Sequence, residues 1–448
     1  MSHEKSIQCG TMSEKIYKKD EMSFSFAGIS IPKKIKIVQI GRWDILNRRY
    51  NGHDLHGAFR ALGHESFHCV WEKCSRDEHT FELAGAIGKK FLHRYITRAE
   101  SELSIQSLLY PYPLNLLFDR RFLSADIVHY HIIHDRFFSL AALPLLSRLK
   151  PSVWSLHDPW AMTGRCIYPR SCEKWMEGCT SCDDLTTPFP MKRDRAGLMW
   201  RLKKRLYQWS DIDIVLASRY MMGLVGKSPL LSGFRLHHIP YGIDLSLFRP
   251  LGSRSLKRMF KIPSENIVLL LRAHTSEYKG LEYIRACLHK LKTEKPVTLL
   301  TFDRKGLLDE FQNRYQVVDL GIVTDEMLTV MAYNAADVFL MPSTVEAFGL
   351  MAVEAMACGT PVLVFDGTAL PEVISPPEGG ISVPSGDTGS FCRELKILVE
   401  NSGRRYEIGE TARKLALKRY SRNMQVERTL ELYRGVLGKK ETAHGRKP

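Results

Sequence analysis

The sequence lacks a hydrophobic segment long enough to cross a membrane. Its longest apolar run, Phe137 to Leu146, is about half of the ~20 residues that a spanning helix needs and is interrupted by Pro144. The N-terminal region carries charges such as Glu4 and Lys5 and has no apolar stretch, which argues against a signal peptide. We therefore expect a cytoplasmic protein, and a peripheral position at the inner face of the membrane stays open.

Acidic residues are in short supply. Among 448 residues, 64 Lys and Arg face 49 Asp and Glu, so the formal net charge is +15. The sequence contains no helix-turn-helix, no RNA-recognition aromatic motif and no zinc-finger His pair, and it has no internal repeat. Nucleic acid is therefore not an expected partner. An anionic ligand or an anionic membrane face suits the charge better.

Short apolar strands alternate with helical segments along most of the chain. This alternation predicts doubly wound α/β domains with parallel sheets. Helices are predicted at about 54–62 and 137–149, and strands at 35–41, 127–131, 153–157, 212–217, 267–271, 297–300, 338–341 and 362–365. We predict a flexible tail over residues 1–32, an N-terminal domain over 33–240, a C-terminal domain over 241–423, and a helix with a tail over 424–448.

The most informative segment runs from Ser343 to Val362. It places Glu346 and Glu354 eight residues apart around the pair Phe348-Gly349. An apolar strand precedes the segment and another follows it, so a helix is expected to begin near Gly349. The free backbone amides and the positive dipole end of such a helix suit a phosphate.

This E-x7-E pattern, with Phe348-Gly349-Leu350 inside it and Gly359-Thr360-Pro361-Val362 after it, resembles family 4 of the retaining glycosyltransferases. The segment from Ser155 to Cys166 is similar to exopolysaccharide enzymes of the colanic-acid type. The resemblance implies the α/β GT-B fold: two Rossmann-like doubly wound domains facing a cleft, with a helix near Met424 to Leu437 crossing back to the first domain. It also implies that 33–240 is the acceptor-side domain and that 241–423 binds the nucleotide sugar.

The resemblance also implies catalytic residues. His157 would bond the transferring sugar, and Glu346 would meet the sugar ring. Lys279 and Arg272 would neutralise the leaving diphosphate, which needs positive charge as its bond to the sugar breaks. Arg272 lies seven residues before Lys279, a longer spacing than the family pattern.

The donor would be bound by Phe348, Gly349, Leu350 and Glu354, with Glu354 on the ribose. Gly52 would allow close approach of backbone to phosphate or acceptor after the first strand.

The neighbouring pair Arg48 and Arg49 either holds an acceptor phosphate or forms a plain basic loop.

The implied function is transfer of a hexose from a UDP- or GDP-hexose to a glycan acceptor, with retention. The acceptor would be a glycan or a polyprenyl-phosphate-linked glycan, as in exopolysaccharide or lipopolysaccharide synthesis. Two alternatives stay open: a nucleotide-sugar epimerase of the GT-B fold, and a non-catalytic basic protein that binds membrane or nucleic acid.

Four of the ten cysteines crowd into a C-x5-C-x6-C-x2-C pattern formed by Cys166, Cys172, Cys179 and Cys182. This spacing predicts a structural zinc site, with free thiols or disulfides as alternatives. The other cysteines look isolated.

No cofactor is expected for catalysis. The literal D-x-D at Asp211 and Asp213 falls where a sheet strand is predicted, so we interpret it as a chance match and expect no catalytic metal.

Basic and apolar residues interleave from Met191 to Trp209. This pattern fits either an amphipathic helix resting on anionic lipid or a helix packed in its domain with a solvated basic face.

Overall fold

The computed structural model describes residues 33–45, 48–85, 88–186 and 189–444. The predicted N-terminal tail and the last four residues of the predicted C-terminal tail lie outside this part of the chain. The chain divides into two compact units. The first runs to Ala217, adds Met221–Ile239 and resumes at Val426; the second contains Ser218–Tyr220 and Pro240–Gln425.

The first unit is built on a parallel sheet of seven strands in the order β3-β2-β1-β4-β5-β6-β7. Its strands are β1 (Lys36–Trp43), β2 (Glu65–Glu72), β3 (Thr80–Glu82), β4 (Ile127–Tyr130), β5 (Ser152–Leu156), β6 (Asp213–Leu216) and β7 (Arg235–His238). Its helices are α1 (His53–Ala61), α2 (His93–Leu103), α3 (Arg120–Ser124), α4 (Leu143–Leu149), α5 (Ala196–Gln208) and α6 (Arg219–Gly226, which begins in the second unit).

The second unit repeats this arrangement with a parallel sheet of six strands in the order β10-β9-β8-β11-β12-β13. The strands are β8 (Ile267–Ala273), β9 (Val297–Asp303), β10 (Gln316–Asp319), β11 (Val338–Met341), β12 (Val362–Phe365) and β13 (Gly380–Val383). The helices are α7 (Ser253–Met259), α8 (Leu281–Lys290), α9 (Glu326–Ala335), α10 (Leu350–Ala357), α11 (Leu370–Ile374), α12 (Thr388–Glu400) and α13 (Ser402–Arg419). The predicted α/β class with two doubly wound sheets is confirmed.

The last helix, α14 (Arg422–His444), begins in the second unit and continues in the first. Within the first unit, Val426, Leu430 and Tyr433 pack in the same apolar cluster as Ile37 and Phe59. The C-terminal segment therefore supplies part of the core beneath the first sheet.

One predicted helix begins later than expected. The sequence predicts a helix from about residue 137, whereas α4 begins at Leu143 after a 3₁₀ turn, Leu140–Ala142. Pro144 has no amide hydrogen to donate and its ring clashes with a helical carbonyl four residues back, so it fits only the first turn of a helix. Phe137 and Phe138 are fully buried ahead of that turn.

Candidate active site

Both sheets reverse their strand order at one place, between β1 and β4 in the first unit and between β8 and β11 in the second. The helices that follow the two strands leave on opposite faces there, so a crevice opens at the carboxyl ends of the strands. Ligands of doubly wound sheets bind at such a switch point. The loops after β8 and β11 therefore outline the candidate site of the second unit.

An ion pair joins these two loops. Lys279, after β8, places its Nζ 2.5 Å from Oε1 of Glu346, after β11. Both side chains are mostly buried, with 17% and 15% exposure. The amide of Thr344 also donates to the carbonyl of Tyr278 at 3.0 Å. The structure thus brings together two of the predicted catalytic residues.

A glycine makes this close approach possible. Gly280 has φ of +74°, and a Cβ at this position would lie 2.1 Å from the carbonyl oxygen of Pro342. Any other residue would force the two loops apart. Gly280 is therefore required for the packing of the two loops, and Lys279 beside it supplies the charge.

Arg272 lies near the end of β8 and does not share the Lys279–Glu346 ion pair. Its Nε donates to Asp303, at the end of β9, over 2.8 Å. His274 lies close by; its Nδ1 accepts the amide of Ser276 at 2.9 Å, and burial together with the charge of Arg272 lowers its pKa. Asp303 and His274 were not predicted, although both follow buried strands and that position was a usable signal.

The segment around α10 begins as predicted, with Gly349 preceding its first residue, Leu350. Gly349 has φ of +101°, and a Cβ there would lie 2.4 Å from the side chain of Leu370. Phe348 is buried, with its ring centroid 5.1 Å from Tyr241 and 5.8 Å from Tyr420. Leu350 is also buried. The structure therefore places these two predicted donor-binding side chains in packed surroundings.

Glu354 lies in α10, eight residues after Glu346. Its carboxylate is 7% exposed and accepts a hydrogen bond of 3.1 Å from the hydroxyl of Tyr333 in α9. Tyr333 itself is fully buried and was not predicted. The two glutamates therefore differ in setting: one is paired with a lysine in a loop, and the other is held by a phenol inside the unit.

The switch point of the first unit contains a group of buried neutral side chains beside the Arg42–Asp135 ion pair. Gln39 in β1 and His131 after β4 face each other, with Oε1 and Nε2 2.7 Å apart. His129 lies 2.7 Å from the hydroxyl of Tyr433 and 2.8 Å from that of Ser155. Burial lowers the pKa of His129 to about 3 and that of His131 well below its usual range. These groups were not predicted, because nothing local in the sequence connects them.

His157 follows β5, as predicted, and joins this group of rings. Its ring centroid lies 5.7 Å from those of His131 and Tyr50. Burial lowers its pKa to about 3, so the imidazole is neutral. Asp158, the next residue, pairs with His134 at 3.2 Å and accepts a hydrogen bond from the amide of Trp160.

Gly52 sits directly before α1 with φ of +84°. A Cβ on Gly52 would lie 2.5 Å from Nε2 of His131, so the glycine keeps room for the imidazole. Arg48 and Arg49 both pair with Asp54, at 3.1 and 3.7 Å. The arginines proposed for an acceptor phosphate therefore already have a carboxylate neighbour.

All four clustered cysteines, Cys166, Cys172, Cys179 and Cys182, are free. The described part of the chain contains no group of three or more His, Cys, Asp or Glu side chains arranged to hold a metal ion. The thiols as placed do not form a ligand set, and the zinc site stays a prediction from their spacing.

One pair of cysteines was wrongly taken as isolated. Cys287 in α8 and Cys392 in α12 form a disulfide in the second unit. They are 105 residues apart in sequence, and only the packing of the two helices brings them together.

The basic helix predicted from Met191 to Trp209 is packed in its unit. It spans Ala196–Gln208 as α5, and Trp200 donates to the carbonyl of Trp175 at 2.8 Å. Lys203 is fully buried, donates to the carbonyls of Trp160 and Thr163, and has its pKa lowered to about 7 by burial. A lipid-facing role for Lys203 is therefore wrong.

Both carboxylates of the D-x-D motif form ion pairs within the first unit. Arg235 contacts Asp211 at 3.0 Å and Asp213 at 2.6 Å, and His237 also contacts Asp213. Asp213 is buried in β6. These pairs tie β6 to its neighbour β7.

Comparison with known proteins finds a family model that matches part of the second unit. Residues 253–415, within the second unit, match the family model described as "Glycosyl transferases group 1". A protein of Escherichia coli (strain K12), provisionally named colanic acid biosynthesis glycosyl transferase WcaC, is 26% identical over 258 residues, or 55% of this chain and 62% of the relative. The MMP alpha-(1->4)-mannosyltransferase of Mycolicibacterium hassiacum is 26% identical, with 57% and 65% covered. The chain thus spans less than two thirds of these relatives' length.

Solved structures resemble the chain over most of its length. WaaG, a glycosyltransferase involved in lipopolysaccharide biosynthesis, has a TM-score of 0.63 at 16% identity, with 89% of this chain and 99% of the other covered. Alr3699/HepE of Anabaena, solved with UDP and glucose, has a TM-score of 0.59 at 16% identity, with the same shares covered. The GT-B fold predicted from the sequence is confirmed. No helix in the described residues is long and apolar enough to cross a membrane.

Proposed function

Because residues 253–415 form a group 1 glycosyltransferase domain, we propose that this chain transfers a hexose from a nucleoside diphosphate sugar to a hydroxyl of a glycan, with retention at the sugar. The donor is a UDP- or GDP-hexose. The acceptor is a lipid-linked glycan in exopolysaccharide or lipopolysaccharide synthesis, and the protein works at the inner face of the membrane. Support comes from the relatives named for colanic acid and lipopolysaccharide biosynthesis and from the UDP and glucose bound by Alr3699/HepE.

The observation that carries the proposal is the Lys279–Glu346 pair across the switch point of the second unit. A leaving diphosphate needs a fixed cation, and Lys279 supplies one in a mostly buried position where its charge is poorly screened. Arg272, bound to Asp303 and 41% exposed, is available as a second cation if the diphosphate competes with that carboxylate.

Glu346 has a second role in this proposal. When the diphosphate takes the Lys279 ammonium, the Glu346 carboxylate is released from its pair and can accept hydrogen bonds from sugar hydroxyls. The ion pair therefore keeps both groups in place before the donor arrives, which lowers the reorganisation needed for the reaction.

Glu354 and Gly349 would hold the nucleoside and the phosphates. Glu354 accepts from ribose hydroxyls, and the Tyr333 hydroxyl fixes its carboxylate. The backbone amides at the start of α10, just after Gly349, face the phosphates with the positive end of the helix dipole.

In the first unit, the neutral His157 imidazole would bond a hydroxyl of the transferring hexose. A buried imidazole with a pKa of about 3 stays uncharged at physiological pH. It can therefore donate or accept a hydrogen bond to a neutral sugar without the cost of burying a charge.

The experiment is a thermal-shift panel of nucleotide sugars, followed by mass spectrometry of lipid products with the best binder. We expect Glu354→Gln to weaken donor binding by roughly 1.5–3 kcal/mol, since it removes a charged hydrogen-bond acceptor. We expect Glu346→Gln to lower turnover more than binding. Full kinetics in the folded double variant would refute the site. Release of nucleoside diphosphate with no sugar on any acceptor would favour the epimerase alternative.

A further inference from the structure

Asp303 ends β9 in a strained backbone conformation. Its φ is +84°, in the left-handed region that residues other than glycine rarely adopt. Backbone hydrogen bonds on both sides hold it there: its amide donates to the carbonyl of Gly321 at 2.8 Å, and the amide of Arg304 donates to the carbonyl of Ala273 at 3.0 Å. Strain of this kind is kept mostly at functional sites, where the surrounding structure enforces it.

The Asp303 carboxylate binds Arg272 rather than backbone amides. Within the described chain its side chain accepts one hydrogen bond, from Nε of Arg272 at 2.8 Å. Asp319, which ends the neighbouring strand β10, shows the ordinary use of such a carboxylate: it accepts from the amide of Gly306 at 2.9 Å and from the hydroxyl of Thr301. Asp319 thus closes a turn of the chain, whereas Asp303 holds a cation of the candidate site.

Arg272 keeps most of its donors for another partner. A guanidinium carries five N–H groups in a rigid plane, and the hydrogen bond to Asp303 uses the one on Nε. No described residue accepts a hydrogen bond from either Nη of Arg272, and 41% of the side chain is exposed. Asp303 therefore restrains the guanidinium through Nε and leaves unused the fork that binds a phosphate at two points.

The nearby His274 does not bring a second positive charge to Asp303. Nδ1 of His274 accepts the amide of Ser276 at 2.9 Å, so the proton of the neutral imidazole is on Nε2. That nitrogen lies 4.0 Å from Oδ2 of Asp303.

Burial and the charge of Arg272 lower the pKa of His274, which favours the neutral ring. The Asp303 carboxylate and the Arg272 guanidinium are thus matched one to one, beside a neutral imidazole that packs against them.

We propose that Asp303 is a positioning residue, which holds Arg272 by Nε so that both Nη groups bind the diphosphate of the nucleotide sugar. The inference rests on the proposed function, because it needs a diphosphate at the switch point of the second unit. The diphosphate can bind the guanidinium while the hydrogen bond to Asp303 stays intact. A cation fixed in this way needs no reorganisation as the bond to the sugar breaks, and the strain at Asp303 has a function.

The test is a double-mutant cycle of Asp303 and Arg272, measured by calorimetric binding of UDP and GDP and, for comparison, of UMP and GMP. Asp303→Gly removes the carboxylate and suits the positive φ, so this variant should fold. We expect Arg272→Met to weaken binding of the preferred diphosphate more than about tenfold, since charge-assisted hydrogen bonds are lost. Asp303→Gly should weaken it about threefold or more and should have no further effect in the Arg272→Met background. Monophosphate binding should change much less.

Two further variants serve as controls. Asp303→Asn keeps an oxygen that can accept from Nε of Arg272, and asparagine tolerates a positive φ, so it should give a smaller loss. It takes the place of Asp303→Gly in the cycle if thermal melting shows that the glycine variant is unfolded. Glu265→Gln also removes one negative charge from the second unit, but Glu265 is exposed and precedes β8 at the opposite end of the sheet. This variant should bind like the unaltered protein.

Equal losses from the Asp303 change with and without Arg272 would show that the two residues act independently and would overturn the inference. Unchanged diphosphate binding in the Asp303 variant would overturn it as well, and so would an equal loss for monophosphate and diphosphate, which indicates a general loosening of the site. The proposed function is tested separately by the unaltered protein. If that protein binds neither nucleotide sugars nor nucleoside diphosphates, both proposals fail; if it binds them and the two changes are independent, the positioning role alone fails.

Discussion

The second unit carries ion pairs at the carboxyl ends of its central strands, whereas the first unit carries a row of buried neutral rings at the same place, beside the Arg42–Asp135 ion pair. Lys279, Glu346, Arg272 and Asp303 form two ion pairs in the second unit. In the first unit the equivalent position holds Gln39 and a row of buried imidazoles whose pKa values are lowered. The strand order is the same in both, apart from one extra strand in the first.

Because the strand order is shared, the side chains alone make the two switch points chemically different. A diphosphate calls for fixed cations, which are held ready when a carboxylate pairs with them. A sugar hydroxyl calls for hydrogen-bonding groups that carry no charge, and burial keeps imidazoles in that state.

Removing the charge from the second unit should have the largest effect. We expect Lys279→Met to lower turnover about 10²–10³-fold, because a buried cation aimed at the developing charge is lost. The matched control is Lys290→Met, at the exposed end of the following helix, α8, which should leave turnover unchanged. Turnover should be measured at saturating nucleotide sugar. Equal activity of both variants would show that the second switch point does not act through charge.

Filling the first unit's switch point should have the next largest effect. Gly52 and Gly63 both have φ of +84°, but only Gly52 lies against a side chain, that of His131. Gly63→Ala should cost about 1–2 kcal/mol for its backbone conformation alone. Gly52→Ala should cost about 1–3 kcal/mol more, because its Cβ meets the imidazole.

Urea unfolding followed by tryptophan emission measures this difference, because all seven tryptophans lie in the first unit. An equal loss of unfolding free energy in the two variants would mean that the His131 side chain can move away freely and that the buried imidazoles are not tightly packed.

Lowering the pH should destabilise the first unit more than the second. Burial holds the pKa values of His129 and His157 at about 3, below the value of about 6.5 in an unfolded chain. Between these values the unfolded chain takes up protons that the folded chain refuses. Stability is therefore complete above about pH 6.5 and falls as the pH drops toward 3, by up to about 1.4 kcal/mol per pH unit for each histidine.

Tryptophan emission should report this loss in the first unit, while hydrogen exchange of β8 to β13 should change less. His157→Asn removes one titrating group and should make the pH dependence of unfolding shallower by about one proton. An unchanged slope would mean that His157 is not buried as a neutral ring.

Strands of continuous apolar residues were predicted most accurately, and the missed strands include several with polar positions. β11 and β12 have the predicted bounds, Val338–Met341 and Val362–Phe365. β2 was missed because buried Ser66 and His68 interrupt its apolar run; Nε2 of His68 lies 2.8 Å from the carbonyl oxygen of Asn51. β7 and β10 lie at sheet edges, half buried, and carry polar residues that mask their character.

The candidate site was predictable where chemistry lies within one motif. Glu346, Gly349 and Glu354 belong to one string of residues, and Lys279 stands beside a glycine. By contrast, Gln39 and Tyr433, which contact the buried imidazoles, are 394 residues apart in sequence. The side-chain amide of Gln39 donates to the Tyr433 hydroxyl over 3.1 Å. No spacing rule reaches across such a separation, because the contact exists only once α14 packs on the first sheet.

Chelation should have the smallest effect on catalysis. We expect activity to persist in excess EDTA, because Lys279 and Arg272 supply the positive charge that a metal would otherwise bring to the diphosphate. The carboxylates of the D-x-D motif, Asp211 and Asp213, are engaged by Arg235. Full loss of activity that magnesium or manganese restores in folded protein would contradict this.

Loss accompanied by unfolding would instead point to the clustered cysteines, and elemental analysis showing one zinc per chain would then establish their site. Activity in EDTA together with zinc well below one per chain and four titratable thiols would leave the protein's own cations as the only positive charge at the donor site.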